Sequence, residues 1–382
     1  MQDYNIVYCC SDYYAPHLGV SIVSILENIS VKNRVNFHIL DFGISTKNKA
    51  KLQEIIQKYN ALNHIFLYDS LDFRDNIADS SDIKDFANSA IGGGGRSKKS
   101  RYNITFYEPH LDSTNKQRLA FFTENYIAFW AGVPSLYRLF LQDIFIQLDS
   151  CLFLGCDVVA LRCISHIFAY DLQEFFAIAS ENKAVQMSCD STKINDLMNN
   201  FCKNFNRRFY FDPDMILLNL AKMRKAKISQ KFYDYAKSCL SSPHKANINA
   251  EEGIWHLGFE DNVRILPHSF CFTLSVKSEK GRENLSDLPI KDILKIEAKK
   301  AIFVHYACLK PWYVNYARLD TQYYWHYRDL SPFKMSIAEK YAFKIRRYIY
   351  FTKIFIAKIP LIGSLGRIIY RVIKKIFKIL LK

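Results

Sequence analysis

The chain has 382 residues, 49% of them hydrophobic, with 29 Phe and 24 Tyr. That is enough apolar and aromatic bulk for a large core, and it excludes a disordered chain. The formal net charge is +15, but residues Glu339 to Lys382 hold 12 Lys/Arg against one acid, which leaves +4 for the other 338 residues. The body is therefore close to neutral and the basicity sits at the C-terminal end.

"YNIVYCC" (Tyr4 to Cys10) reads as a buried strand, rich in β-branched and aromatic residues. "PHLGVSIVSILENI" reads as a helix and "VNFHILDFG" as a second strand ended by Gly43. Ser45 is a candidate cap for the helix "TKNKAKLQEIIQKYN", and "HIFLYD" (His64 to Asp69) reads as a third strand. Alternating strands and helices predict a parallel sheet with helices on its faces. Ligands of such sheets bind beyond the carboxyl ends of the strands, which directs attention to Ser11, Asp12, Asp41, Asp69 and Asp157.

From Ser70 to about Asn125 the periodicity dissolves. The run "GGGGRSKKS" (Gly92 to Ser100) follows no strand and lacks the GK[ST] ending of a phosphate loop, so it reads as a loop tip. Order returns with "PSLYRLFLQDIF", a helix begun at Pro134, and with the strand in "CLFLGCDVVA". Then come a strand in "EFFAIAS", a loop and strand in "RFYFDPDMILLNL", and a basic helix "AKMRKAKISQKFYDYAKSCL". A helix starting at "EEGIWHLGF" and a buried strand in "AIFVHYACLKPWYV" close the body.

Ten scattered Cys show neither a C-x-x-C pair nor zinc-ligand spacing, which predicts free thiols in a reducing compartment. The start "MQDYNIVYCC" does not read as a signal peptide, and no stretch of about 18 apolar residues predicts a spanning helix. Arg367, Arg371, Lys374, Lys375, Lys378 and Lys382 fall on one helical face, and Ile368, Ile369, Val372, Ile373, Ile376, Phe377 and Leu380 cover the other. This pattern predicts a basic amphipathic tail over 331–382 that lies on an anionic membrane surface, with 339–382 making the contact. A packed helix with a solvated basic face is the alternative. No recognition motif for nucleic acid accompanies the charge.

Three segments together resemble the retaining glycosyltransferases of family 8, the lipopolysaccharide galactosyl- and glucosyltransferase and glycogenin-like group. They are "NIVYCCSDYYAPHLGVSIVSILENI" with "FHILDFGIS", "SLYRLFLQDIFIQLDSCLFLGCDVVAL", and "FVHYACLKPW". The resemblance implies an α/β chain with a GT-A fold, a Rossmann-like sheet that binds a nucleotide sugar. The GT-A domain would span 1–330, with 70–125 as an insertion unmatched in the family. It implies that Asp157 and His305 bind Mn²⁺ or Mg²⁺, and that Arg138 and Lys310 lie near the donor diphosphate. Ser11 and Asp12 stand where the family has an acidic pair beside the nucleotide. Glu251 and Glu252 stand where it has a carboxylate–amide pair near the reaction centre.

The sequence departs from the family at the metal motif: Gly155 occupies the place of the first acid of D-x-D. The segment Asp212-Pro213-Asp214 replaces "NAG" before a strand and is itself good turn chemistry. Three expectations stand side by side. The ion is held more weakly by Asp157, His305 and the diphosphate; or Asp212 or Asp214 supplies the missing carboxylate; or the site is lost and the chain is a noncatalytic partner or scaffold at the membrane. The implied activity is transfer of galactose or glucose from a UDP-hexose to a lipopolysaccharide or lipooligosaccharide-type glycolipid with retention of configuration. It would take place on the cytoplasmic face of the cell membrane, by front-face attack, and no nucleic-acid partner is expected.

Overall fold

The computed structural model describes residues 3–30, 33–72, 100–126, 132–182, 210–240, 250–273, 300–307, 310–314 and 321–357. The strands are β1 (Asp3–Ser11), β2 (Arg34–Phe42), β3 (Tyr102–Tyr107), β4 (Ser150–Leu154), β5 (Val158–Ala160), β6 (Ala177–Glu181), β7 (Phe211–Asn219), β8 (Val263–Leu266), β9 (Cys271–Thr273) and β10 (Phe303–His305). The longer helices are α1 (Ala15–Asn28), α2 (Thr46–Asp72), α3 (Ser113–Tyr126), α4 (Leu220–Lys225), α5 (Ile228–Cys239), α6 (Ala250–Phe259), α7 (Gln322–Leu330) and α8 (Ile337–Ala357).

Seven strands form one sheet in the order β3-β2-β1-β4-β7-β6-β8, and β5-β10-β9 form a second, smaller one. β3, β2, β1 and β4 run parallel, whereas β7 is antiparallel to β4 and β6. The sheet is covered on both faces, which explains why its strands are continuously apolar instead of alternating. Side chains still alternate between two cores. Ile6, Tyr8, Leu152, Leu154, Met215 and Leu217 enter one core, together with α1, the small sheet and Tyr324 of α7. Val7, Cys151, Phe153, Ile216 and Leu218 enter the other, with Phe122 of α3, Phe232 of α5 and Trp255 of α6.

α1 begins with a proline in its first turn, where a missing N–H costs nothing. It is buried along most of its length, and Gly19 gives it a flat spot: a Cβ there would fall 2.6 Å from the Phe333 ring. Phe333 follows α7 and is buried against α1.

Several expectations are corrected. "HIFLYD" is not a strand; α2 continues through it to Asp72. The third parallel strand is β3, which lies, with α3, inside the segment whose periodicity is lost. No Gly or Pro stops the helix before His64, and a short apolar run fits either state. The helix begun near Pro134 is broken into Gly132–Leu136, a 3₁₀ turn Tyr137–Phe140, and Leu141–Ile144. The basic helix after β7 is two helices, separated where Lys227 takes the left-handed conformation at φ 51°. Asp212-Pro213-Asp214 is not a free turn but the first part of β7. The glycine run at 92–99 and the amphipathic pattern beyond residue 357 lie outside the described residues.

Candidate active site

β4 ends at Leu154, and Gly155-Cys156-Asp157 turns the chain into β5. Asp157 is held there by its carbonyl, which accepts from the Tyr306 amide at 3.1 Å. β10 pairs antiparallel with β5, His305 opposite Val158, so Asp157 and His305 are brought side by side from distant parts of the sequence. His305 Nε2 lies 3.7 Å from Asp157 Oδ1 and 3.5 Å from Asp214 Oδ2. Its other nitrogen, Nδ1, donates to Asp212 Oδ2 at 2.8 Å.

Asp212 is fully buried. Its Oδ2 also accepts from the Thr273 hydroxyl on β9, and its Oδ1 accepts from the Asp214 amide at 2.9 Å. Lys310 donates to Asp157 Oδ2 and to the Tyr306 carbonyl at 2.8 Å. Arg138, from the 3₁₀ turn, donates to Asp214 Oδ1 at 2.8 Å and to Glu251 at the start of α6. Its guanidinium lies over the Phe153 and Trp255 rings, at 5.7 and 5.6 Å from their centroids, which fixes its plane.

The electrostatics follow from this packing. Burial would lower the His305 imidazole, but Asp212 and Asp157 outweigh it and raise it to about 10. Burial would raise the Asp212 carboxyl, but His305 and the Thr273 hydroxyl bring it down to about 2. Asp157 too is held below the usual carboxylate range, against burial, by Lys310 and His305. Asp214 is raised, because burial exceeds the pull of Arg138. Burial, with Asp212 close by, pushes Glu252 up to about 8.

Of the expected site residues, Asp157, His305, Lys310, Arg138, Asp212, Asp214 and Glu251 converge directly, and Glu252 lies within their field. Ser11 and Asp12 do not join them through any contact described. Asp12 Oδ1 accepts from the Ser45 amide at 2.8 Å and from Asn48 at 2.7 Å, tying the end of β1 to the start of α2. Thr273 and the aromatic wall beside Lys310 escape sequence reading. In that wall Trp312 stacks on His17 with centroids 3.4 Å apart. A lone Thr at the end of a three-residue strand carries no signal, whereas Trp312 lay in plain view in "KPW".

The donor set suits a hard divalent cation. Asp212, Asp214 and His305 each place one ligand atom within 4.8 Å of the others, and Asp157 adjoins them. Carboxylate oxygens favour Mg²⁺ or Mn²⁺, and imidazole suits a transition ion such as Mn²⁺. The residues present therefore fit the ion implied by the resemblance. A groove lined by Asn36, His38, Asn60 and Asn103 along β2 and β3 lies apart from this cluster and includes no acid or Lys/Arg among its lining residues.

The glycosyl transferase family 8 model matches residues 5–316, which is most of the chain. The chain belongs to glycosyltransferase family 8. Among curated relatives, it is 23% identical over 338 residues to the lipopolysaccharide 1,2-glucosyltransferase of Escherichia coli, covering 87% of this chain and 80% of that one. It is 20% identical over 231 residues to general stress protein A of Bacillus subtilis, covering 60% of this chain and 61% of that protein. Among solved structures, the galactosyltransferase LgtC matches with a TM-score of 0.55 at 17% identity, over 89% of this chain and 99% of that one. The bifunctional glycosyltransferase WbbM matches with a TM-score of 0.59 at 16% identity, over 88% of this chain; the family 8 chain spans about half (51%) of WbbM. The fold is GT-A, with the parallel strands and the turn after β4 in the expected places. Among the described residues no helix is long and apolar enough to cross a membrane.

Proposed function

We propose that this family 8 chain transfers a hexose, galactose or glucose, from a UDP-sugar to a lipopolysaccharide- or lipooligosaccharide-type glycolipid with retention of configuration. The observation that carries the reading is the convergence of Asp157, His305, Asp214, Lys310 and Arg138 at the carboxyl end of β4. Cations and carboxylates gathered in a largely buried cluster suit a substrate that carries a diphosphate leaving group.

Lys310 supplies a fixed ammonium to offset charge on the departing diphosphate. A divalent cation held by the carboxylates and His305 would supply further positive charge when bound. Arg138 engages both Asp214 and Glu251, so neither carboxylate is a free nucleophile. Glu252, held largely protonated at neutral pH by burial, is suited to donate a hydrogen bond to a sugar hydroxyl. This division favours front-face attack over a covalent glycosyl-enzyme. The basic C-terminal tail places the enzyme on an anionic leaflet. In support, Ile337, Tyr341 and Tyr348 are exposed on one face of α8.

The test is transfer from UDP-glucose and UDP-galactose to a purified lipooligosaccharide core, with the product read by mass spectrometry. Asp157→Asn and Lys310→Ala should each lower turnover by about 10²-fold or more. Full transfer by both variants, or none by the wild type with either donor, would defeat the reading. Loss of the segment 339–382 should abolish flotation with vesicles containing anionic phospholipid while leaving binding to neutral vesicles unchanged.

A further inference from the structure

We propose that the acid missing from the end of β4 has been supplied by the neighbouring strand. Asp214, the cross-strand partner of Gly155, joins Asp157 and His305 as a ligand of the divalent cation, and Asp212 orients His305 from behind. The proposal rests on reading this cluster as a metal site, and it departs from the family arrangement at that one ligand.

The first support is register. β4 and β7 pair antiparallel, with Leu154 opposite Met215, and the ladder runs one step further because the Gly155 amide donates to the Asp214 carbonyl at 2.9 Å. Directly opposed residues in an antiparallel pair put their Cβ atoms on the same face, about 5 Å apart. A carboxylate on residue 214 therefore reaches the region that a carboxylate on residue 155 would occupy.

The second support is volume. A Cβ on Gly155 would fall 3.1 Å from Asp214 Oδ1, 3.2 Å from Asp214 Cβ and 2.7 Å from Asp157 Oδ1. The room for a side chain at 155 is thus already taken by the two carboxylates. Gly155 and Asp214 form a reciprocal pair, in which the glycine is what lets the second carboxylate lie there.

The third support separates the two acids of Asp212-Pro213-Asp214. Both oxygens of Asp212 are engaged, Oδ1 by the Asp214 amide and Oδ2 by Thr273 and His305 Nδ1. Asp212 is therefore the carboxylate that fixes the ring behind a metal-binding imidazole. With Nδ1 donating to Asp212, His305 presents Nε2 toward Asp157 Oδ1 and Asp214 Oδ2. Arg138 holds only Oδ1 of Asp214, which leaves Oδ2 directed at the same place.

The experiment measures Mn²⁺ binding to the full chain without nucleotide, from the electron paramagnetic resonance signal of the free ion, together with the melting temperature with and without Mn²⁺. The wild type should bind Mn²⁺ and melt higher in its presence. Asp214→Asn should weaken Mn²⁺ affinity by about 100-fold. The exchange Gly155→Asp with Asp214→Gly should recover affinity to within about tenfold of wild type, whereas Asp214→Gly alone should not. Wild-type affinity in Asp214→Asn, an exchange variant no better than Asp214→Gly, or a wild type that binds no Mn²⁺ would each overturn the proposal. If Asp214→Asn does not fold, the exchange variant carries the test, because it returns a carboxylate to the same region beside Arg138. A wild type that transfers sugar without binding Mn²⁺ would sink this ligand assignment and leave the proposed function standing; a protein that binds Mn²⁺ through Asp214 without transferring sugar would do the reverse.

Discussion

The imidazole of His305 is held from behind by Asp212, Nδ1 to Oδ2 at 2.8 Å, so that its Nε2 faces the other two carboxylates. Both partners are buried, and Asp212 has no exposure at all. A buried charge that loses its partner is strongly destabilising. Asp212→Asn keeps the shape and removes the charge, and should lower the unfolding free energy by about 3 kcal/mol. Urea denaturation at pH 7 reads the change; a loss below about 0.5 kcal/mol would mean that the pair contributes no more than an exposed one.

Gly19 and Phe333 pose a contest between helix propensity and packing. Gly19→Ala would favour the helix by about 1 kcal/mol. The new methyl, however, would start 2.6 Å from the buried Phe333 ring, with Ile55 at 3.4 Å on another side. Overpacking of that kind costs about 1–3 kcal/mol, so packing wins and the melting temperature should fall. Gly19→Ala combined with Phe333→Leu should recover part of the loss; a stabilised single variant would refute the fit.

Two buried histidines make the body acid-sensitive. Burial lowers His17 from 6.5 to about 3 and His38 from 6.5 to about 4. The folded values lie below the unfolded ones, so the unfolded chain binds more protons between them. The contribution of these two histidines is full above pH about 6.5 and falls as the pH drops toward those folded values, by about 1.4 kcal/mol per pH unit for each group. Glu252, raised to about 8, acts in the opposite direction above its unfolded value, so the comparison is made against a variant. His38→Gln should flatten the decline in urea midpoint between pH 6.5 and 5 relative to wild type. Parallel pH profiles would show that His38 is not responsible.

Much of the frame was legible because it is written in local patterns. β1, α1, β2 and the turn after β4 follow from unbroken apolar runs, a proline in a first turn and a lone acid at a strand end. β3 escaped because it is the outermost strand in a stretch of weak periodicity, and "HIFLYD" was misread because six apolar and polar residues fit a helix as well as a strand. In the site, Asp157, His305 and Lys310 are each found by position within a segment. The work of Asp212 and Asp214 is not, since Asp-Pro-Asp is equally good turn chemistry and its role arises from a pairing between strands about sixty residues apart. Cross-strand register is a tertiary fact, and no single segment carries it.

Arg138 has a further consequence. One guanidinium serves as counter-ion to Asp214 on β7 and to Glu251 on α6. The two acids are thereby chemically entangled: neutralising either one returns the whole of Arg138 to the other. Measurements on single variants at these positions are not independent, and only a double-mutant cycle assigns an effect to one of them. The same link joins β7, an interior strand of the large sheet, to the helix that brings in Glu252, so the two cannot drift apart without separating a buried ion pair.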